Sequence, residues 1–386
     1  MLLRIFAVVF ALLFLPALYM CIAHFRHNRR KVLALCVLNA ALFVYMAAVI
    51  LFFPFNAENG STIGSTLLPV YALGIGQCAF ALFAVGGRII SKQGRIRRIF
   101  LSIGCASAIG VIATFAYGYF IGRNILVVTS YDYHSPRLPD AFDGYRIVQL
   151  TDLHLNSFYD NPEYVDRMVD STNAASPDLI AITGDIVSFS SEELARFLPA
   201  LSRLRAKDGI ISIMGNHDYG TYTTSFDSTE WKADTQLLQQ MQSDMGWTLL
   251  LNSHIALHRG SDSIVIEGTE NSTRQKHINY ADIDQTIKGV DSTAFQIMLT
   301  HDPRYWKTDV LPRTHADLTL AGHLHGFQYL LFGLSPSILF SPHWRGAYTI
   351  DHRTLYVSMG VGTSAIFPVR YGAWPEINVI TLKRKS

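Results

Sequence analysis

Ile210-Ile211-Ser212-Ile213-Met214-Gly215-Asn216-His217-Asp218 is an apolar run that ends in an amide, an imidazole and a carboxylate. A short run rich in β-branched residues and closed by glycine reads as a buried strand. The same layout occurs twice upstream. Tyr145 to Leu150 ends at Asp152-Leu153-His154, and Leu179 to Thr183 ends at Gly184-Asp185. Two helical patterns separate these runs: Pro162 to Ala174, opening on a proline, and Ser191 to Leu204, with Ser191 as its cap. The β-α-β-α-β order predicts a parallel sheet flanked by helices. Ligands collect at the carboxyl ends of the strands in such sheets. Downstream, Phe295 to Thr300 ends at His301, and Leu318 to Ala321 ends at Gly322-His323-Leu324-His325. Five strand ends would therefore aim donors at one crevice. Residues 248–268 read as a hairpin, and the runs at 354–359 and 376–382 are expected in a second sheet.

Taken singly, these groups are weak. Asp152 could be a solvated strand-end acid, Gly184-Asp185 an ordinary turn, and His301 a hydrogen-bonded core histidine. Their joint occurrence at successive strand ends is what carries weight. Asp152, His154, Asp185, Asn216, His301, His323 and His325 supply seven oxygen and nitrogen donors and no thiolate. That set suits two divalent ions such as Mn²⁺, Fe²⁺ or Zn²⁺ sharing a carboxylate. The 152/154 and 323/325 spacings would put both donors of each pair on one side of an extended stretch.

The order D-x-H, G-D, G-N-H-D, H, G-H-x-H resembles the calcineurin-like metallophosphoesterase superfamily over roughly 145–386. The resemblance implies an αββα two-sheet sandwich around a dinuclear metal centre. It assigns Asp152, His154 and His325 to one ion and Asn216, His301 and His323 to the other, with Asp185 bridging. A metal-bridging hydroxide would then attack phosphorus in line. His217 is the expected general acid or transition-state stabiliser at the leaving oxygen, and Asp218 is expected to orient its imidazole. Leu355-Tyr356-Val357-Ser358-Met359-Gly360 with Pro375-Glu376-Ile377 resembles a membrane-associated bacterial branch, some of whose members hydrolyse UDP-diacylglucosamine. Leu324 and Phe327 depart from the Thr and Gly common in that branch's final motif. Ser188 stands where purple acid phosphatases use Tyr. Gly184-Asp185-Ile186-Val187-Ser188-Phe189 also lacks the Arg that protein phosphatases carry there, which disfavours protein dephosphorylation.

The first third of the chain is of another kind. Four apolar stretches, about 3–23, 32–54, 66–87 and 99–122, reach the roughly 20 residues needed to span a bilayer. Arg26, Arg29, Arg30 and Lys31 follow the first, and Arg88, Lys92, Arg95, Arg97 and Arg98 follow the third. The loop from Asn56 to Thr66 has no Lys or Arg. The positive-inside rule places both basic loops in the cytoplasm, and hence the body after residue 123 on the extracytoplasmic side of the cell or inner membrane. Cleavage of the first stretch as a signal peptide would invert that charge pattern. Gly118 and Gly122 form a GxxxG spacing of small weight. The expected organisation is four transmembrane helices over 1–123, a tether over 124–144 and the metallophosphoesterase domain over 145–386. All four cysteines (Cys21, Cys36, Cys78, Cys105) lie in the membrane part.

The formal net charge of +2 gives no sign of a nucleic-acid partner. The bilayer and a phosphorylated small molecule or lipid are the expected partners. Phe327 to Trp344 reads as a buried strand pair with its loop, the commoner case, or as a lipid-facing edge. Arg345 and Arg370 are candidates for a phosphate or for acidic neighbours, and His343 is a lesser candidate for substrate contact. UDP-diacylglucosamine is made on the cytoplasmic face, opposite to the side the charges give this body. An extracytoplasmic phosphodiester or pyrophosphate, such as a lipid head group, is therefore the favoured substrate. The alternative is a catalytically silent membrane scaffold or sensor using the fold as a binding module, and the complete donor set speaks against it.

Overall fold

A computed structural model describes residues 2–91, 94–273 and 275–385 and divides the chain into two compact units. One comprises residues 1–54, 62–121 and 366–368; the other comprises 55–61, 122–365 and 369–386.

The first unit holds four helices: α1 (Leu2–Met20, extended by a π-helical turn over Cys21–Phe25), α2 (Arg29–Phe52), α3 (Gly60–Ile90) and α4 (Arg95–Phe120). Each is long and apolar enough to cross a membrane. Leu51, Phe52, Leu82, Ile89 and Phe120 are exposed, as side chains facing lipid are. α3 begins several residues before the expected span, and its first turns satisfy their own hydroxyls: Thr66 Oγ1 donates to Thr62 O at 2.9 Å. The polar exception in the spans is also paired, with Gln77 Nε2 donating to Asn39 Oδ1 across α2 and α3 at 3.0 Å. Arg97, at the start of α4, lies 3.1 Å from the His24 ring that follows α1, so the two basic loops share a side; Lys92 falls outside the described residues. α4 ends before Gly122, so the GxxxG spacing is no helix face; a side chain at Gly122 would strike the Arg370 carbonyl.

The second unit is two six-stranded sheets. The first contains β1 (Val127–Ser135), β2 (Arg146–Leu150), β3 (Leu179–Thr183), β4 (Ile210–Ile213) and β5 (Thr248–Leu249), in the order β1-β12-β2-β3-β4-β5 once the last strand, β12 (Glu376–Arg384), is included. The second contains β6 (Ser253–Arg259), β7 (Asp262–Gly268), β8 (Phe295–Leu299), β9 (Leu318–Ala321), β10 (Gly346–Ile350) and β11 (Arg353–Val357), in the order β10-β11-β9-β8-β7-β6. β2 to β5 run parallel, as do β7, β8, β9 and β11; β6 and β7 form the expected hairpin.

Strand alternation builds the layers. Ile147, Leu179, Ala181, Ile211 and Ile213 point between the sheets, against Ile264, Ile266, Phe295, Ile297, Leu299, Leu318 and Leu320. Their neighbours Val148, Leu150, Ile180, Ile182 and Ile210 face α5 (Glu163–Ala174), α6 (Glu192–Leu201) and α7 (Ser228–Asp244). Short helical turns carrying Ile283, Trp306 and Val310 cover the outer face of the second sheet. The architecture is the αββα sandwich.

Three expectations change. The stretch read as a tether contains β1, which pairs parallel to β12 along its length and buries Tyr133, whose hydroxyl donates to Asp317 O at 3.0 Å. Alternating Val127, Thr129, Tyr131 and Tyr133 are the reason, since they give one face apolar bulk. The run at 376–382 joins the first sheet, between β1 and β2, not the second. Ser191 sits at the start of α6 but caps nothing; its hydroxyl donates to Asp234 at 2.6 Å.

Candidate metal centre

The loops leaving β2, β3, β4, β8 and β9 meet at one end of the sandwich. Gln149 ties the sheets together there, donating to Thr183 Oγ1 at 3.0 Å and to Ala321 O on the opposite sheet at 2.9 Å. Convergence is achieved by turning, not by the extended alternation expected from the 152/154 and 323/325 spacings. Asp152, His154, Asp185, His323 and His325 all have positive φ, between 41° and 74°. Asp and His tolerate the left-handed region better than most residues, and such outliers gather at functional sites. Close backbone approach completes the turn. A side chain on Gly215 would collide with the Asp185 carboxylate, and one on Gly322 with Thr151 and Asp152.

The result is two clusters of donors, Asp152/His154/His325 and Asp185/His301/His323, buried except for the half-buried His323, with ligand atoms in each within 4.8 Å of one another; a third such group, His154/Asp185/His217, overlaps both. Asp185 Oδ2 lies 3.1 Å from His301 Nε2 and 3.6 Å from His154 Nε2, between the clusters. His325 Nε2 stands 3.4 Å from Asp152 Oδ1 and 3.2 Å from His154 Nε2, and His323 Nδ1 stands 3.2 Å from His301 Nε2. Asn216 Oδ1 is buried and has no hydrogen-bond partner among the described residues. Leaving such an oxygen unsatisfied costs about 1–3 kcal/mol, which a bound cation would remove.

Electrostatics fit the same reading at three of the four imidazoles. Burial drives the His154 and His323 imidazoles down to about 3 and about 4, and His325 well below its usual range, with the Arg370 guanidinium adding to the effect on His154 and His325. Neutral imidazole is the form that binds a metal. Burial opposes charge on His301 too, but the Asp185 carboxylate raises it to about 10. Burial would raise Asp185, yet the surrounding imidazoles, His301 foremost, hold it well below the carboxylate range. An all-oxygen and nitrogen set of this composition fits a pair of Mn²⁺, Fe²⁺ or Zn²⁺ ions.

His217 is held beside the clusters by three contacts. Its Nδ1 donates to Ser188 O at 2.8 Å, its backbone N–H donates to Asp185 Oδ1 at 2.8 Å, and its ring stacks on Tyr222 at 4.0 Å. Asp218, expected to orient that ring, instead accepts the backbone N–H groups of Gly215, Asp185, Ile186 and Val187 at 2.8–3.1 Å. Four short donors form a shell that a buried carboxylate needs, and they knit the β3 and β4 loops together.

One contributor escaped the sequence, and two candidates stand elsewhere than expected. Glu193 is fully buried and accepts from Asn156 N, Ser188 N and Phe189 N, each at 2.8 Å. An acid in the first turn of an amphipathic helix carries no sign that it faces inward. Arg370, a candidate for phosphate or surface pairing, is fully buried and donates to the carbonyls of Gly362, Ala373 and Met359, with Nη2 3.3 Å from His325 Nδ1. His343 packs edge-on against Trp306 and Tyr348.

Residues 145–327 match the calcineurin-like phosphoesterase family. The chain is 30% identical over 298 residues to the metallophosphoesterase YkuE of Bacillus subtilis (strain 168), covering 74% of this chain and 97% of that protein. It is 28% identical to the Danio rerio transmembrane protein with metallophosphoesterase domain over 64% of this chain, and 25% identical to its Bos taurus namesake over 77%. It spans 55% and 66% of the length of those two. With its donor clusters and its four membrane-crossing helices, the chain belongs to the calcineurin-like metallophosphoesterase family as a membrane-anchored, metal-dependent phosphoesterase with a dinuclear centre.

Proposed function

We propose that the protein hydrolyses a phosphodiester or pyrophosphate in a lipid head group, on the extracytoplasmic face of its membrane. The observation that carries the lipid reading is the segment following His325. Phe327, Leu331, Phe332, Leu334, Ile338, Leu339 and Phe340 are all exposed, Phe332 to 95% and Leu339 to 82%. Seven large apolar side chains within fourteen residues exceed what a soluble surface leaves in water. Phe327 and Phe340 stack at 4.7 Å, so the segment is a formed lobe beside the donor cluster. Acyl chains or the bilayer surface are its natural cover. The side of the membrane is supported by two facts: the nine basic residues of the two loops, and the presence of Phe55–Ser61, the loop from the opposite ends of α2 and α3, within the catalytic unit.

Asp152, His154 and His325 would hold one ion, and Asn216, His301 and His323 the other, with Asp185 shared. Two divalent ions, when bound, supply Lewis acidity toward water and the phosphoryl oxygens. The chain's own groups do the rest. Ser188 O accepts from His217 Nδ1, which fixes the ring and leaves Nε2 as the atom that can pass a proton to the leaving oxygen. His301 Nδ1 likewise donates to Thr183 O at 2.9 Å, which presents Nε2 toward Asp185. Asp218 and Glu193 hold the three loops in register through backbone amides.

The test is release of water-soluble phosphorylated head group from vesicles containing the full-length protein with Mn²⁺, using glycerophospholipids in one arm and a pyrophosphate-linked lipid in the other. Turnover in either arm, abolished by chelator, is the expected result. Turnover of soluble phosphodiesters with none in either lipid arm would overturn the lipid assignment.

A further inference from the structure

We propose that Phe55–Ser61, the connection between α2 and α3, is a positioning element of the catalytic site that holds His217 in place for proton transfer; this rests on the role given to His217 above. The segment belongs to the catalytic unit and is bound on two sides. On one side it pairs with the loop after β4. Phe55 N donates to Thr224 Oγ1 at 2.9 Å, while Thr224 N and Thr223 Oγ1 each donate to Phe55 O at 2.8 Å. On the other side Asn156 Nδ2 donates to Ala57 O, and Gly60 lies so close to the Phe189 ring that a side chain there would overlap it. Phe55 and Ala57 are buried, as are Asn156, Phe189 and Thr223.

These partners are the neighbours of the groups that fix His217. Tyr222, which stacks on the His217 ring and accepts from Asn216 Nδ2 at 2.9 Å, directly precedes Thr223 and Thr224. Ser188, whose carbonyl accepts a hydrogen bond from His217 Nδ1 and whose hydroxyl lies 3.2 Å from His154 Nδ1, directly precedes Phe189. The segment therefore clamps both walls between which the imidazole stands. A connection between two membrane helices needs only to turn the chain. This one instead makes fixed contacts with both loops, so the structure assigns it to the positioning of the acid.

The test uses the full-length protein in lipid nanodiscs with Mn²⁺ and two phosphodiesters, methyl p-nitrophenyl phosphate and methyl phenyl phosphate. The poorer phenolate leaving group needs more help from an acid. The double variant T223V/T224V, nearly isosteric, and Gly60→Val should keep two metals per chain. They should lose about a hundredfold on the phenyl ester and less than about tenfold on the p-nitrophenyl ester. Equal losses on both esters, loss of metal, or unchanged rates would overturn the proposal. If His217→Ala itself loses nothing on the phenyl ester, the reading of His217 has failed, and amide exchange then judges the segment by itself. Protection of the Thr224 amide and of 216–222 should vanish in Gly60→Val; protection retained there refutes the coupling.

Discussion

Asp185 and His217 lie next to each other in the same cleft yet should fail in different ways when changed. Asp185 Oδ2 faces donors of both clusters, and its Oδ1 accepts the His217 amide. Asp185→Asn removes the shared charge and should lose both metals and activity together, read by metal analysis after dialysis. His217→Ala leaves every donor of the two clusters in place. It should retain both ions while turnover falls by about 10²–10⁴-fold; metal loss in that variant would remove His217 from its assigned role. The donor residues themselves were legible because each stands at the end of an apolar run. What the sequence could not convey is how they are aimed. Asp218 looked like a partner for the adjacent imidazole, but the turn at Asn216–Asp218 points the carboxylate back into four amides, and the imidazole is held by a carbonyl of another loop. Glu193 and the burial of Arg370 were hidden for a related reason. A charged residue is buried only when several partners surround it, and those partners are far away in sequence.

At the level of strands and helices, the three parallel strands β2, β3 and β4, the two helices between them and the hairpin were readable from period and punctuation. β1 and the placement of β12 were not, because strand pairing across some 250 residues leaves no local trace. α7 also lacked an apolar stripe; its only herald is the Asp227–Glu230 capping box. β1 now carries a prediction. A body begun at residue 136 would lose the strand that covers the β12 edge and the buried Tyr133. It should melt lower and aggregate more than one begun at Gly122, as seen by scanning calorimetry and light scattering. β7 carries another. Glu267 is fully buried, neither of its carboxylate oxygens has a partner among the described residues, and burial together with nearby Asp317 raises it to about 8. The native state then keeps a proton that the unfolded state, near 4.5, gives up. Stability should fall as pH rises between those values, by about 1.4 kcal/mol per pH unit from this group. Glu267→Gln should flatten that slope and stabilise the protein at alkaline pH. An unchanged slope in denaturant titrations would show that the carboxyl finds a partner.

For the whole molecule, the separation into an apolar helical unit and a sandwich was plain from hydropathy and from cysteine placement. The assignment of a membrane loop to the catalytic unit was not, since nothing in Asn56 to Ser61 distinguishes a linker from a wall. Its consequence for topology is testable in intact cells. A tag after Ser386 and a labelling site at Asn59 should both be reached from the extracytoplasmic side, while Arg26–Lys31 should be shielded; labelling of the C-terminus only after permeabilisation would reverse the orientation. Whether donors scattered from Asp152 to His325 cage two ions around one aspartate can be read from anomalous diffraction by crystals of the Mn²⁺-loaded full-length protein. Two peaks about 3.5–4 Å apart on either side of the Asp185 carboxylate are expected. One peak, or peaks remote from that carboxylate, would contradict the shared cage.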